Sequence, residues 1–237
     1  MTEYNLTMVS GFWNVKNKHD KQFYNWFDKT LKINCPYVIF CDDESLPIIQ
    51  EHRKSLPTHY IICNIPEFYT YKFKDTIQSH PRHCPSKELS MIWNEKVFFV
   101  KKASDINIFN TEYFAWVDAG ICIYRDSVPP TDVFPSPDKL SGLPKDKFIF
   151  TSSNTFFQKE YVEQGMYYHF ISAGIFIMHK SFIDEFADIY KQYIDYLLPK
   201  DNWIYTEQVV FTIMYYNMPQ LFHRIADGYG NIIPLLY

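Results

Sequence analysis

The chain has no long apolar run, and this absence limits the kinds of protein it can be. No stretch of its 237 residues approaches the roughly 20 apolar residues that a membrane-spanning helix needs. Thr2, Glu3 and Asn5 interrupt the start, so the pattern of a signal peptide is missing as well. We therefore expect a cytoplasmic protein without a transmembrane segment.

An excess of basic residues is also missing. Lys and Arg number 23 against 27 Asp and Glu, which gives a formal net charge of -4. Proteins that bind nucleic acid usually carry a basic face, so the sequence argues against a nucleic-acid partner. The five cysteines are odd in number and form no Cys-x-x-Cys pair, which is typical of reduced thiols rather than of a disulfide framework.

Aromatic residues, in contrast, are abundant. They make up 19% of the chain, with 19 Tyr and 21 Phe. For most of them we expect a place in a core built from large rings. The alternative is that some form stacking surfaces for sugars or bases.

Short apolar runs alternate with segments of helical periodicity. This order is the pattern of βαβ units, so it predicts an α/β fold with a Rossmann-like, mostly parallel central sheet flanked by helices. A capping box, Ser181-x-x-Asp184, is expected to begin one of the helices. The proline-rich segment 123–144 is expected to be a long irregular loop. The predicted strands span residues 6–13, 37–41, 60–63, 114–121, 147–151, 169–178 and 221–224, and the predicted helices span 19–31, a segment after Ser45, 86–103, 181–197 and a segment that begins at 206.

The run from Phe114 to Ile121 is the centre of this pattern. It reads as a buried strand that ends in Asp118, with Gly120 two residues later. A buried charge needs a partner, and ligands of open α/β sheets bind at the carboxyl ends of strands. Asp118 is therefore placed to hold a metal or a ligand, which Gly120 would allow to approach the backbone. The alternative is that Asp118 only caps the following turn.

Three other positions are candidates with alternatives left open. Asp42 follows the second predicted strand, where it could accept ribose hydroxyls or simply cap the next helix. Glu207 and Gln208 fall in the first turn of a helix that Thr206 can cap, where they could face a ligand or offset the helix dipole. The segment 80–84 holds two His and one Cys, but its spacing matches no standard zinc site and a loop is favoured.

Four short motifs carry a resemblance across nearly the whole chain. They are Val9-Ser10-Gly11-Phe12-Trp13, Ser90-Met91-Ile92-Trp93-Asn94-Glu95-Lys96, Trp116-Val117-Asp118-Ala119-Gly120-Ile121 and Thr206-Glu207-Gln208. The order of these pieces looks like that of a GT-A glycosyltransferase, and more specifically the chain resembles the HtrL/YibB-like (WlaTC) family of bacterial and viral proteins. The layout is also similar to glycosyltransferase family 8, whose Asp-x-Asp, Asn-Ala-Gly and Asp-Gln motifs would correspond here to segments 118–120, 172–174 and 207–208.

The resemblance implies one GT-A-like glycosyltransferase domain over residues 1–237. Its nucleotide-binding half would be 1–121 and its acceptor and sugar half 122–237. The implied reaction moves a sugar from a nucleotide-diphosphate sugar, with a UDP-sugar favoured, to a glycan, lipopolysaccharide-like or glycoprotein acceptor. The implied place is the cytoplasm, the periphery of a membrane or a viral assembly site.

The resemblance also implies a divalent metal, Mn²⁺ or Mg²⁺, that would neutralise the leaving diphosphate as a Lewis acid. Asp118 would be one ligand of this metal and His223 is the best-placed candidate for another. The alternative for His223 is a histidine that is satisfied within its strand. Gly120 stands where the family 8 pattern has a second carboxylate. If both ligands fail, the implied enzyme is metal-independent or inactive.

The implied catalytic residues are Glu207 and Gln208. Glu207 is the candidate base of an inverting reaction; in a retaining reaction Glu207 or Gln208 would instead line the donor sugar. Lys87 and Lys96 could contact phosphate, although a solvated lysine is expected at each position. The implied nucleotide-sugar-binding residues are Ser10, Gly11, Phe12, Asp42, Lys87, Asn94, Lys96, Asp118, Gly120, Ser172 and Gly174.

Two other functions remain open on the sequence. The first is a non-catalytic domain of the same fold that binds a carbohydrate or a nucleotide, and the missing second carboxylate supports it. The second is a metal-dependent phosphodiesterase or nuclease. The low density of carboxylates around Asp118 argues against the two-metal site that such an enzyme would use.

Overall fold

The computed structural model describes residues 4–15, 21–124, 126–200 and 205–237. His19, where one helix was predicted to begin, and Asn202, at the start of the segment that leads into the helix capped by Thr206, lie outside these residues. The strands are β1 (Leu6–Phe12), β2 (Tyr37–Cys41), β3 (Thr58–Ile62), β4 (Tyr113–Val117), β5 (Phe148–Ser152), β6 (Ile171–His179) and β7 (Phe222–Asp227). The helices are α1 (Lys21–Thr30), α2 (Leu46–Arg53), α3 (Lys87–Ile106), α4 (Pro137–Ser141), α5 (Lys159–Glu163), α6 (Lys180–Leu197), α7 (Glu207–Asn217) and α8 (Ile232–Leu236).

All seven strands form a single sheet in the order β3-β2-β1-β4-β6-β5-β7. The first four are parallel to one another, and β5 is parallel to β7. Only β6 runs against its neighbours, β4 and β5. The predicted α/β fold with a mostly parallel sheet is therefore confirmed. Strands from before and after residue 121 belong to the same sheet. The assignment of nucleotide binding to 1–121 and of acceptor and sugar binding to 122–237 stays a prediction.

Two hydrophobic layers cover the two faces of the sheet. One contains α3, α6 and α7, and the other contains α1, α2, α4 and α8. Side chains of β4 alternate between them, since Phe114 and Trp116 join the first layer while Tyr113, Ala115 and Val117 join the second. Because both faces are covered, the strands read as continuous apolar runs. This is why their positions could be predicted from the sequence.

Helix α3 belongs to the first layer and contributes residues to the site described below. Ser86 caps it, with its side chain accepting from the backbone N–H of Leu89 at 3.1 Å, as expected. The helix is buried on more than one face, and Lys96 is 1% exposed. The expectation that Lys96 is solvated is therefore wrong, because α3 packs against the sheet and also against the neighbouring helices α6 and α7.

The other helix starts differ from the predicted ones in their details. At α6 the cap is His179 rather than the Ser181 box, since the His179 side chain accepts from the Ser181 N–H at 3.2 Å. Asp42 Oδ1 accepts from the Ser45 N–H at 2.8 Å just before α2. The capping alternative for Asp42 is thus what the structure shows.

Two loops also differ from the sequence-based expectation. Strand β4 ends at Val117, so 118–121 is a turn rather than strand. Segment 123–144 contains α4, and its Phe134, Leu140 and Leu143 are buried in the second layer. It therefore packs as part of the core, although its prolines had predicted an irregular loop.

Two expectations about the whole chain can be compared with the described residues. The side chains of Cys35, Cys41, Cys63 and Cys84 are buried there and take part in no disulfide, as predicted. Among the described helices, none is both long and apolar enough to cross a bilayer.

Candidate functional site

A cleft of about 340 Å³ opens where β1 and β4 end and α3 and α7 meet them. It lies at the carboxyl ends of these parallel strands, where ligands of open α/β sheets bind. Three charged residues from three different elements line it: Asp118 after β4, Lys96 from α3 and Glu207 at the start of α7. The fold brings them together across 111 residues of sequence.

Lys96 joins the two carboxylates. Its Nζ lies 2.7 Å from Asp118 Oδ1 and 2.7 Å from Glu207 Oε1, and it also donates to the carbonyl of Ala173 at 3.2 Å. The side chains of Lys96 and Glu207 are 2% and 4% exposed, whereas that of Asp118 is 31% exposed. Asp118 is therefore the member of this ion-pair triad that a ligand can reach most easily.

Burial and charge set the protonation of the two inner groups. Burial by itself lowers the pKa of Lys96, but the carboxylates of Asp118 and Glu207 outweigh it and hold that pKa above its ordinary value. Burial raises the pKa of Glu207, with Lys96 opposing the shift. A carboxyl whose pKa is raised is better suited to accept a proton near neutral pH. Glu207 Oε2 is buried and has no hydrogen-bond partner within the described part of the chain.

Asp118 is held in one orientation. The indole N–H of Trp116 donates to its Oδ1 at 2.7 Å, and its backbone N–H donates to the carbonyl of Gly174 at 2.8 Å. The Trp116 ring in turn stacks on Phe99, with centroids 5.9 Å apart. The side chain thus pairs with Lys96 and Trp116, and its second oxygen, Oδ2, is the one with neither of these bonds.

Aromatic side chains form much of the cleft wall. Four of the five tryptophans line it, and the fifth, Trp203, lies outside the described residues. Phe12, Trp13 and Trp116 are also part of the buried core, as expected of most rings, whereas stacking of sugars or bases on the wall stays a prediction. Among described residues, Lys96 is the only cation of the wall. The rings are Phe12, Trp13, Phe23, Trp26, Trp93, Trp116 and Tyr229.

The glycines of the site do not expose the backbone to the cleft as expected. A Cβ added to Gly120 would lie 2.2 Å from the Phe23 ring, and one added to Gly174 would lie 2.6 Å from the Tyr229 ring. At Gly11 the same position is 2.6 Å from the Trp13 ring. Gly11 and Gly120 do line the cleft, but at all three glycines an aromatic ring takes the space that was predicted for a ligand.

Several predicted binding residues have structural roles instead. The Ser10 hydroxyl is buried and donates to the Val117 carbonyl at 2.7 Å, which ties β1 to β4. Lys87 Nζ donates to the carbonyls of Lys74 and Asp75 at 3.3 and 3.4 Å. Neither residue lines the cleft, and neither does Asp42, whose capping role is described above.

Asn94 and Ser172 are buried behind the cleft. The Asn94 amide donates to the carbonyls of Ser90 and Tyr205, each at 2.9 Å, so it fixes α3 to the segment that leads into α7. The Ser172 hydroxyl has no partner among the residues that the structure describes. Both lie outside the cleft wall, whereas the predicted Phe12 and Gln208 are in it.

The predicted metal pair is not brought together. His223 is exposed on β7 and is level in the sheet with Ala115 of β4, through the registers with Ile149 and Ile177. Three strand spacings separate β7 from β4, which amounts to about 14 Å, and Asp118 lies three residues beyond Ala115. His223 and Asp118 therefore cannot share one metal ion.

Enzymes of the GT-A fold often use divalent metals, which would need ligand atoms near Asp118 that are free to bind an ion. Asp118 Oδ1 already accepts from both Lys96 and Trp116. In the described ranges no cluster of three His, Cys, Asp or Glu side chains could hold a metal, and this includes the segment 80–84. The donor set around Asp118 therefore does not fit a protein-held divalent ion.

Sequence reasoning missed Trp26, Trp93 and Tyr229 of the wall. Trp93 lies within the motif 90–96, but no role was assigned to it; for Trp26 and Tyr229 the signal was the high aromatic content. It also missed the burial of Lys96. The indirect signal was that Lys96 follows Ile92 and Asn94 on the same helix, and both of these are buried.

Comparisons with known proteins show what this chain is similar to in sequence and in structure. Protein HtrL of Escherichia coli (strain K12) is 21% identical over 229 residues, covering 88% of this chain and 78% of its own. Mouse xyloside xylosyltransferase 1, in its apo form, superposes over 95% of this chain and 85% of its own with a TM-score of 0.52 at 12% identity. The 4-diphosphocytidyl-2C-methyl-D-erythritol synthase of Anaerococcus prevotii gives a TM-score of 0.47 at 9% identity, over 98% and 90% of the two chains.

The likeness to the xylosyltransferase shows a GT-A-like fold and no more than the fold. The family described as "Bacterial protein of unknown function (HtrL_YibB)" matches residues 2–233. The chain therefore belongs to the HtrL_YibB family.

Proposed function

We propose that this protein is a glycosyltransferase that moves a sugar from a nucleotide-diphosphate sugar to a glycan or glycoconjugate. The observation that carries the proposal is the triad of Asp118, Lys96 and Glu207 at the carboxyl end of β4, inside an aromatic cleft. Glycosyl transfer needs a group that orients sugar hydroxyls, a base for the acceptor and a balance for the leaving charge. The triad offers one residue for each need.

Each role follows from position and exposure. Asp118 is the most exposed carboxylate of the three, and its Oδ2 can accept hydroxyls of the ribose or the donor sugar. Glu207 Oε2 is unpaired within the described residues and lines the cleft, so it can take the proton of the acceptor hydroxyl. As the acceptor oxygen bonds to the anomeric carbon, the bond to the diphosphate breaks and the nucleoside diphosphate leaves. Lys96, the positively charged member of the triad, would balance the negative charge of the leaving diphosphate.

The rings and Gln208 would position the substrates. Phe12 and the tryptophans of the wall offer faces for the base and for the apolar side of a sugar. Gln208 lines the same cleft one residue after Glu207, where its amide can bind a sugar hydroxyl. If the reaction retains configuration, Glu207 would share that role. A UDP-sugar donor and a cytoplasmic location remain parts of the proposal.

A panel of nucleotide diphosphates and their sugars, screened by the shift in melting temperature, tests donor binding. A ligand that binds only the native state raises the melting temperature by mass action. We expect one nucleotide family to raise it, and Asp118→Asn to reduce the shift. Asp195→Asn is the matched control. Asp195, on α6, is an exposed carboxylate that pairs with Lys72 and does not line the cleft.

Catalysis is tested separately with Glu207→Gln. This variant should keep the donor-induced shift but lower kcat by about 10²-fold or more, the usual contribution of a general base. Retained kcat would contradict the role of Glu207. If no nucleotide diphosphate or nucleotide sugar shifts the melting temperature, the transferase proposal fails.

A carbohydrate-binding domain without transfer is the second candidate. The observation that favours it is that Lys96 already balances Asp118, while Gly120 stands in place of a second carboxylate. The described wall also offers no other cation for a diphosphate. Binding of neutral oligosaccharides, with no response to any nucleotide, would select this candidate.

A further inference from the structure

Three oxygen atoms surround the Lys96 ammonium. Asp118 Oδ1 and Glu207 Oε1 each lie 2.7 Å from Nζ, and the Ala173 carbonyl lies 3.2 Å from it. The three come from different elements: the turn after β4, the start of α7 and the middle of β6. A position bounded by two carboxylates and a carbonyl is one that hard divalent cations favour.

The distances match an ammonium rather than a metal. Mg²⁺ and Ca²⁺ bind oxygen at about 2.0–2.6 Å, whereas N–H···O bonds are about 2.7–3.2 Å long. Asp118 Oδ1 also accepts from the Trp116 indole, so its lone pairs are already used. Lys96 reaches this position from inside the core, where its side chain is 2% exposed.

We infer that the Lys96 ammonium takes the position between Asp118 and Glu207 that a divalent cation would need, so that the cleft binds its ligand without a protein-held metal ion. The inference goes beyond the proposed function, because it concerns whether the protein holds a metal ion in the cleft and applies to any ligand that binds there. It also assigns Lys96 as a positioning residue, which holds the two carboxylates at fixed separation.

Displacement of this ammonium by a metal ion would be costly. Lys96 Nζ also lies 5.6 Å from the centre of the Trp116 ring, on whose face a cation is attracted. An incoming ion would have to push a fully buried side chain out of the layer formed by α3, α6 and α7. Removal of the side chain, in contrast, would leave two carboxylates and a carbonyl around an empty, buried position.

Titration with Mn²⁺ alone tests the inference, with free aqueous Mn²⁺ measured by electron paramagnetic resonance. We expect no saturable site in the natural protein up to about 1 mM, the weak end of protein sites for divalent ions. Lys96→Ala should bind one Mn²⁺ with a Kd at least about tenfold below that limit, because the buried Glu207 and the partly exposed Asp118 lose their shared counter-ion. A folded Lys96→Ala protein that gains no site would overturn the inference.

Lys101→Ala is the matched control for this titration. Lys101 lies on the same helix and also joins two carboxylates, Asp105 and Asp184, but this group is exposed. Because water can replace the lost ammonium there, Lys101→Ala should behave like the natural protein. Equal gains of Mn²⁺ binding in the two variants would show that the Lys96 position is not special, and would overturn the inference.

Asp118→Asn decides the matter if Lys96→Ala does not fold. Stoichiometric Mn²⁺ binding by the natural protein that Asp118→Asn abolishes would overturn the inference, whereas no such binding in either protein supports it. None of these measurements needs a sugar donor. A failure of every nucleotide to bind would therefore count against the proposed transferase and leave the Mn²⁺ result unaffected.

Discussion

The ring of Phe23 lies over Gly120, so close that a Cβ on the glycine would be 2.2 Å from the ring. This contact docks α1 onto the turn that carries Asp118. The hydroxyl of Thr30, at the end of α1, donates to the carbonyl of Ile121 at 3.0 Å and adds a polar bond to the same docking. The shape of the turn therefore depends on a helix that is almost 100 residues away in sequence.

Gly120→Ala should destabilise the fold, because the Phe23 ring would have to move out of a packed layer. We expect a loss of about 1–3 kcal/mol in the free energy of unfolding, as for other overpacked sites. Gly142→Ala is the control: its nearest neighbour would be 3.6 Å from the new Cβ, which leaves room. Urea unfolding measures both, and equal effects would contradict the packing argument.

The same contact predicts a rescue. Phe23→Leu should cost less stability in the Gly120→Ala background than in the natural one, because the smaller side chain makes room for the methyl group. Two additive effects would show that the ring and the glycine do not interact.

Lys96→Met should be among the most destabilising substitutions of the chain. It keeps the apolar stem and leaves Asp118 and Glu207 without their counter-ion, which for buried pairs costs about 3–5 kcal/mol. Lys101→Met, on the exposed part of the same helix, should cost about 1 kcal/mol or less. Adding Glu207→Gln to Lys96→Met should recover part of the loss. Chemical denaturation distinguishes these outcomes, and a loss in Lys96→Met no larger than that in Lys101→Met would contradict them.

The cap of α6 should make stability depend on pH. Burial lowers the pKa of His179 below its ordinary value near 6.5, although Glu112 beside the ring opposes the shift. The unfolded chain then takes up the proton before the folded one does. Stability is complete above about pH 6.5 and falls as the pH drops from there through the folded-state pKa, by at most about 1.4 kcal/mol per pH unit.

His179→Asn tests this dependence. Asn is a good N-cap residue and can accept from the Ser181 N–H without titrating. The variant should therefore lose stability less steeply than the natural protein between pH 7.5 and pH 5, as urea unfolding at several pH values would show. The other histidines are common to both proteins and cancel. Parallel pH profiles would rule out His179 as a source of the dependence.

Arg53 should be irreplaceable by lysine. It is fully buried, and its guanidinium donates to the hydroxyl of Thr58 and to four backbone carbonyls, those of Leu31, Ile33, Cys35 and Pro57. A lysine has fewer donors and lacks the planar fork, so Arg53→Lys should cost about 2–4 kcal/mol through unpaired carbonyls. Arg224→Lys, at an exposed position, is the control and should be nearly neutral in thermal unfolding.

The sheet could be predicted from the sequence because its strands are buried on both faces. Segments such as 37–41 are apolar at every position, whereas the apolar residues of α3 recur with helical spacing, so the two kinds of element can be told apart. The location of Asp118 followed from the same rule, since a charge directly after such a run must lie at the carboxyl edge of the sheet. The caps were less predictable: at the start of α6 the backbone N–H of Ser181 donates to the His179 side chain, which no capping motif indicated.

Lys96 and His223 show where this reasoning ended. Lys96 was judged from its neighbours in sequence and His223 from the family resemblance, whereas burial and pairing are set by elements far along the chain. Lys96 is buried because α7 and the turn after β4 bring Glu207 and Asp118 to it. His223 is remote from Asp118 because β6 and β5 lie between their strands.

By itself, the sequence determined the class of fold, the order of its elements and the carboxylate at the end of β4, because hydrophobic periodicity is a local property. Tertiary structure alone decided which charges meet, which rings cover the glycines and which aromatic residues line the cleft. Several of these contacts join residues far apart in the sequence, such as Lys96 and Glu207 across 111 positions. Their energies depend on burial and distance, which a linear pattern does not contain.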